Sequence, residues 1–340
     1  MKNLVQRWLE STLDDSFPQR RTEVESWQEH TPFLSALIGL TKPRVVVELG
    51  THRGDSFFAV CEALRRHNLE SGSTAWAVDT WQGDPQAGYY DEEIYQEVLH
   101  YRNTHYPQLA HLLRMTFDEA QREFGKGSID LLHIDGLHTE EAVLHDYQSW
   151  KDCLSEQGII LFHDIAVREN DFGVYRVWEK LKAQFPHFAF LHGNGLGLLQ
   201  VGPTPAPAVA DLCQANPEER ALLQASFAAL GGRVRFEGRA ARLWHQADAL
   251  WERTHQAESL ADDLRMSQLE TEGWNAQLKS ACQSMRKQLE VVETDRKQLQ
   301  GRLRYLQARL GWVIWAFEKT VQLKDLLKKW LLKRSKPEEN

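Results

Sequence analysis

The chain has 340 residues, 26% of them charged and 42% hydrophobic, with a formal net charge of -8. That length fits two structural units better than one, and the surplus of acid argues against a general nucleic-acid binder, which carries a basic face. The four cysteines, Cys61, Cys153, Cys213 and Cys282, form neither a CxxC pair nor a disulfide framework, as expected of a protein in a reducing cytoplasm.

The opening residues are broken by charges at Arg7, Glu10, Asp14 and Asp15, so they lack the apolar core of a signal peptide. No stretch approaches the about 18 uninterrupted apolar residues of a membrane span. Residues 1–40 are expected to be helical, the last helix amphipathic around Phe33, Leu34, Leu37 and Ile38 and closed by Pro43. Next comes Arg44-Val45-Val46-Val47-Glu48-Leu49-Gly50, a β-branched run ending at glycine, which marks a strand buried on both faces of a parallel sheet. Residues 55–67 read as a helix, and further strands are expected at 74–79, 112–116, 129–135 and 158–164 with helices between them. Such alternation predicts an α/β, Rossmann-like doubly wound sheet whose ligands sit beyond the carboxyl ends of the strands. After a helix over 174–184, residues 188–192 and 196–201 form an antiparallel hairpin, with Asn194-Gly195 suited to a type I′ turn.

Pro203 to Pro207 mark the exit from this domain, which spans 41–202, and 203–238 read as a linker and helical segment packed back on it. From Leu243 one register holds through Leu250, Ala257, Leu264, Leu278, Met285, Val292, Leu299, Leu306 and Val313, with Thr271 in one apolar place. A heptad seam this long predicts a coiled coil over 239–317 and, through it, a homo-oligomer. Gln268, Thr271 and Asn275, beside Gly273, predict a local bend. The basic amphipathic segment 318–340 follows Trp312, Trp315 and Phe317 and carries Lys324, Lys328, Lys329, Lys333, Arg334 and Lys336. It fits peripheral contact with a membrane as well as it fits a solvated coiled-coil end.

The chemistry is concentrated where strands end. Glu48-Leu49-Gly50-Thr51-His52-Arg53-Gly54 follows a strand and opens a helix, so the backbone turns tightly and approaches a ligand closely. It is not GxGxxG, and an acid before the first glycine suits an amino-acid group better than a pyrophosphate. Glu48 either receives an ammonium indirectly, orients the loop, or caps the turn. Asp79 ends the second strand, where an acid accepts hydrogen bonds from ribose hydroxyls. Asp135 and Asp164 leave adjacent strands and should converge. With His163 they form a set for a divalent metal, oxygen ligands suiting magnesium and the imidazole admitting manganese or iron, although both acids also fit helix N-caps. The segment 81–106 carries Asp84, Tyr89, Tyr90, Asp91, His100, Tyr101, His105 and Tyr106. It suits a sugar-stacking platform or a lid, and equally aromatic packing against the domain.

Together the Val45 to Gly54 run, Asp79-Thr80-Trp81-Gln82-Gly83-Asp84, His133-Ile134-Asp135-Gly136-Leu137-His138, Phe162-His163-Asp164 and His192 to Gly197 make residues 31–202 resemble the Methyltransferase family 24 group of class I methyltransferases. The resemblance implies an S-adenosylmethionine-dependent O-methyltransferase with one antiparallel strand appended to a parallel sheet. It places Glu48, Gly50, Thr51, Gly54, Asp79, Trp81, Thr116 and Asp135 at the cofactor. Metal-dependent sugar O-methyltransferases carry an acid at the place of Asp135 and an acidic pair after the next strand; here that pair is His163-Asp164. His138 stands at the offset of their general base, a task an imidazole performs near neutral pH, though it also fits the start of the helix near Thr139.

A catalytic domain with a coiled coil and a basic amphipathic end resembles the chain-terminating methyltransferases of O-antigen synthesis. That implies a glycan acceptor, a sugar hydroxyl of a bacterial surface polysaccharide, and contact with the inner membrane. The competing expectations are a coiled-coil scaffold that binds the cofactor without catalysis and a hydroxylase-like relative.

Overall fold

The computed structural model describes residues 3–12, 18–86, 88–169, 171–270 and 275–334, excepting the side chains of 266–270, 275–277 and 312–334. It divides into two units, Met1–Arg235 and Phe236–Asn340.

In the first unit, α1 (Leu4–Glu10) and α2 (Thr31–Thr41) precede β1 (Val45–Leu49), α3 (Asp55–Arg66) and β2 (Thr74–Asp79). A small hairpin, β3 (Gly83–Asp84) with β4 (Gly88–Tyr89), leads to α4 (Glu92–His105), β5 (Ala110–Arg114) and α5 (Phe117–Ala120). Then come β6 (Ile129–Ile134), α6 (Glu140–Trp150), β7 (Leu154–His163), α7 (Val174–Lys182), β8 (His187–Phe190), β9 (Leu196–Gln200) and α8 (Pro207–Cys213). The seven-stranded sheet runs β5-β2-β1-β6-β7-β9-β8. Its first five strands are parallel, and β9 is antiparallel to both β7 and β8. The doubly wound sheet with an appended antiparallel hairpin is therefore present, and its order reverses between β1 and β6, where such folds bind ligands.

Each strand feeds two cores because its side chains alternate between faces. Val46, Leu131 and Leu161 pack with Leu34, Leu37, Phe57 and Phe58 on one side, and Val209, Leu212, Leu223 and Phe227 close that side. Val47, Leu132 and Phe162 pack with Val143, Trp150 and Trp178 on the other. Glu48 and His133 are register partners, two residues on from Val46 and Leu131. They share the apolar face of α2 and α3, where a polar pair must satisfy itself.

Three boundaries differ from the sequence reading. β5 ends at Arg114, so Thr116 leaves the strand and caps α5, its side chain exchanging hydrogen bonds with Glu119 in a capping box that competes with strand extension. β7 starts at Leu154, ahead of an irregular register with β6. In the hairpin, the Gly195 N–H donates to the His192 carbonyl at 2.9 Å, so the central pair is Gly193-Asn194, both at positive φ, one residue earlier than Asn194-Gly195.

α9 (Pro217–Glu270) enters the second unit, and α10 (Asn275–Arg334) follows. The bend expected at Thr271 and Gly273 lies outside the described residues, as do the side chains of the basic C-terminal segment. Between 243 and 264, and again between 278 and 310, the side chains with reduced exposure fall on the three-four spacing of the expected seam, with Thr254, Leu303 and Leu306 buried. An isolated helix leaves no such face shaded, so within this unit the two helices cover each other. No described helix is long and apolar enough to cross a membrane.

Candidate active site

A cavity of about 680 Å³ opens over the carboxyl ends of β1, β2, β6 and β7, a size suited to a small-molecule site. Gly50 and Gly54, at φ +88° and +79°, turn the chain from β1 into α3. A Cβ on Gly50 would run into the Asp135 carbonyl. Gly50→Ala should therefore lower the melting temperature as well as ligand binding, since an L side chain at positive φ alone costs about 1–2 kcal/mol. Differential scanning calorimetry checks this, and an unchanged midpoint counts against the close approach.

Asp79 is held by the glycine loop. Its Oδ2 accepts from the N–H groups of Thr51 and His52, both at 2.9 Å, and its Oδ1 from Trp81 N–H at 2.7 Å. These loop amides are thus turned toward Asp79 and not toward a ligand. Gly50, Thr51, Gly54, Thr116 and Asp135 line the cavity, joined by His52, Arg53, Asp55 and Ser56 of the same loop and helix. Glu48, Asp79 and Trp81 do not: Glu48 is buried behind the wall, and the Trp81 indole donates to the His52 carbonyl at 2.9 Å. Thr51 lines the cavity, while its hydroxyl is buried without a hydrogen-bond partner.

At the far side Asp135, Asp164, His138 and His163 meet. His138 Nε2 lies 3.0 Å from Asp164 Oδ2 and 3.4 Å from Asp135 Oδ1. Burial pulls this imidazole down, but hydrogen bonds to the two carboxylates outweigh it and push it up to about 9. His163 Nε2 lies 3.2 Å from the Gly193 carbonyl, and its Nδ1 3.3 Å from both Asp135 Oδ1 and Asp164 Oδ1. Every neighbour of this ring is an acceptor, so both nitrogens carry protons. Burial opposes that charge, yet Asp135 and Asp164 raise His163 well above the ordinary histidine range. Both carboxylates are lowered in turn, burial being overcome chiefly by His163.

The group whose ligand atoms all lie within 4.8 Å of one another is Asp135, His138 and Asp164; compared with the set expected from sequence, His138 replaces His163. Two carboxylates and an imidazole are donors that magnesium or manganese accepts.

The segment after β2 reaches this cluster only in part. Gln86 Oε1 accepts from the His138 N–H at 2.9 Å, the Tyr90 ring stacks on His52 at 4.5 Å, and Asp84 and Tyr90 line the cavity. Tyr101 and Tyr106 pack on Phe58, and His105 on Tyr101, while Tyr89 is 82% exposed. Tyr101, His105 and Tyr106 are thus packing, and of the expected platform Asp84 and Tyr90 line the cavity. Phe172, which the sequence reading missed, stacks flat on the His138 ring at 4.6 Å. Val24, Ser26 and Trp27, also missed, line the cavity from the segment before α2.

Residues 47–165 match the family model for a methyltransferase domain. This part of the chain is a methyltransferase domain. The chain is also similar to the uncharacterized protein y4gI of Sinorhizobium fredii, 41% identical over 208 residues that make up 61% of this chain and 23% of that protein. It thus spans less than a quarter of that relative's length. Among solved structures, it is similar to the cofactor-bound protein Rv0187 from MTB, with a TM-score of 0.40 and 16% identity over 55% of this chain and 84% of that one. The SAH-bound Podospora anserina methyltransferase PaMTH1 is similar at a TM-score of 0.38 and 15% identity, over 58% of this chain and 86% of that one. The methyltransferase domain holds the glycine loop and the Asp135, His138 and Asp164 cluster, whereas Val24, Ser26 and Trp27 precede it.

Proposed function

We propose that the chain transfers the methyl group of S-adenosylmethionine to a hydroxyl of its acceptor, with a divalent cation held by Asp135, His138 and Asp164. The observation that carries this reading is the cavity itself, which joins the glycine loop to two carboxylates and an imidazole at the switch point of the sheet. Gly50, whose place no side chain could take without meeting the Asp135 carbonyl, lets the cofactor approach the backbone. A cation at the cluster would supply a Lewis acid that makes the acceptor hydroxyl easier to ionise. As the acceptor oxygen bonds to the methyl carbon, the carbon–sulfur bond breaks, and the hydroxyl proton passes to the carboxylate oxygen of Asp135 or Asp164 that a cation would leave free. His163, charged and buried, keeps both carboxylates ionised and in place. A sugar hydroxyl of a bacterial surface polysaccharide is the acceptor we favour, on the support of the His52–Tyr90 stack and of Asp84 on the cavity wall.

Calorimetry tests the reading. S-adenosylmethionine should bind one to one with an affinity that survives chelation, and manganese titrated alone into chelated protein should give a saturable heat that Asp164→Asn removes. Absence of S-adenosylmethionine binding overturns the assignment; absence of the manganese heat removes the cation from it.

A further inference from the structure

The turn over residues 22–28 lies upstream of the matched domain, yet it forms part of the cavity wall through Val24, Ser26 and Trp27. Two fastenings hold it there. At one end, Thr22 donates its N–H to Asp55 Oδ1 at 2.8 Å and its hydroxyl to Asp55 Oδ2 at 2.5 Å. Gln28 Nε2 donates back to the Thr22 carbonyl at 2.9 Å, closing the turn on itself. Asp55 is the first residue of α3, the helix that opens from the glycine loop, so the turn is tied to the element that carries Gly50 and Thr51.

At the other end, Trp27 Nε1 donates to His133 Nε2 at 3.0 Å, and His133 Nδ1 faces Glu48 Oε2 at 2.9 Å. An indole N–H can only donate. His133 Nε2 must therefore accept, its proton sits on Nδ1, and that proton points at Glu48. The result is a one-way chain of hydrogen bonds from Trp27 through His133 to Glu48. All three side chains are buried, and Glu48 and His133 occupy a strand face otherwise filled by Val46, Leu131 and Leu161. Apolar residues would fill those two strand positions without needing partners. What the polar pair adds is a fixed position for the Trp27 indole, and with it for Val24 and Ser26.

We propose that the 22–28 turn is a wall of the S-adenosylmethionine site, and that His133, held by Glu48, is the residue that positions it through Trp27. The proposal rests on the reading of the cavity as the cofactor site. The sequence separation is large, 106 residues between Trp27 and His133, so the contact joins a segment outside the domain to the middle strand of the sheet. His133 acts through Trp27 and is a positioning residue.

The experiment uses the full chain and S-adenosylhomocysteine, the demethylated product, so that no acceptor is needed. Affinity is measured by calorimetry for the wild type, His133→Phe, His133→Gln and Trp27→Phe. Both Phe variants should bind at least tenfold more weakly. His133→Gln should recover part of the loss, because an amide can accept from the indole through its oxygen and donate through its nitrogen. A merely structural residue would show no such rescue. The Trp27 indole N–H resonance in a ¹⁵N-labelled sample, assigned by its disappearance in Trp27→Phe, should move in His133→Phe and return toward its place in His133→Gln. If His133→Phe does not fold, Trp27→Phe decides, since it keeps an aromatic ring and removes the N–H. Wild-type affinity in folded Trp27→Phe overturns the inference while leaving the cofactor reading intact. A wild type that does not bind S-adenosylhomocysteine overturns both.

Discussion

His138→Ala should lose cation binding and methyl transfer together. Its Nε2 is the atom that approaches both Asp164 and Asp135, so the same lone pair serves as ligand or as base, and its other ring nitrogen is buried without a partner. The resemblance to metal-dependent relatives implies that His138 removes the proton and leaves the metal to Asp135, His163 and Asp164. On that division, His138→Ala keeps its metal and only slows. The geometry predicts instead that manganese affinity falls in His138→Ala as it does in Asp135→Ala and Asp164→Ala, with the rate lower by about a hundred- to ten-thousand-fold.

Proton linkage sharpens the expectation. The carboxylates push His138 up to about 9, so without a cation the ring is an acid at neutral pH and its base form grows only as pH rises toward that value. Any turnover of chelated enzyme should therefore climb with pH up to about 9, and that climb should be missing from His138→Ala. Normal manganese affinity in His138→Ala would restore the separate base, and full activity in the chelated wild type would remove the cation from the mechanism.

The sheet is legible in the sequence because each central strand is a β-branched or aliphatic run with an acid at its end, and periodicity fixes which side chains share a face. Asp79 and Asp135 are likewise visible as strand-terminal acids. What an acid receives there is not visible. Asp79 could face outward to a ribose or back to the loop, and only the turn at Gly50 and Gly54 brings the Thr51 and His52 amides within its reach. His138 and His163 pose the same problem. Both stand near carboxylates in sequence, and only the fold shows that His163 Nε2 is taken up by the Gly193 carbonyl, contributed by a hairpin turn thirty residues on. The 22–28 turn has no periodicity and no motif, so nothing in the sequence ties it to Asp55 or His133. In the tail, the heptads identify which face is covered. They cannot say by what, because a seam closed by the next helix of one chain and a seam closed by a second chain have the same spacing.

Asp146→Asn should stabilise the protein at pH 8 and do so far less at pH 5. Asp146 lies on the sheet-facing side of α6 with Val143, Tyr147 and Trp150. Burial raises its carboxyl to about 7, the Asp118 charge adds to the effect, and His145 opposes it. A carboxyl raised in this way holds its proton more tightly in the folded chain than in the unfolded one, where it titrates near about 3.9. The stabilisation from the bound proton is complete below that value, falls as pH rises, and is gone once pH passes about 7. At pH 8 the ionised form costs the fold about 4 kcal/mol, of which only about 1.5 kcal/mol is already felt at pH 5. Asparagine carries no such charge at either pH. The advantage of Asp146→Asn should therefore grow by about 3 kcal/mol between the two, a rise of roughly 6–12 °C in the melting temperature of a unit this size. Equal shifts at pH 5 and pH 8 would mean that Asp146 finds a donor or water in the folded protein and that its carboxyl titrates as an ordinary one.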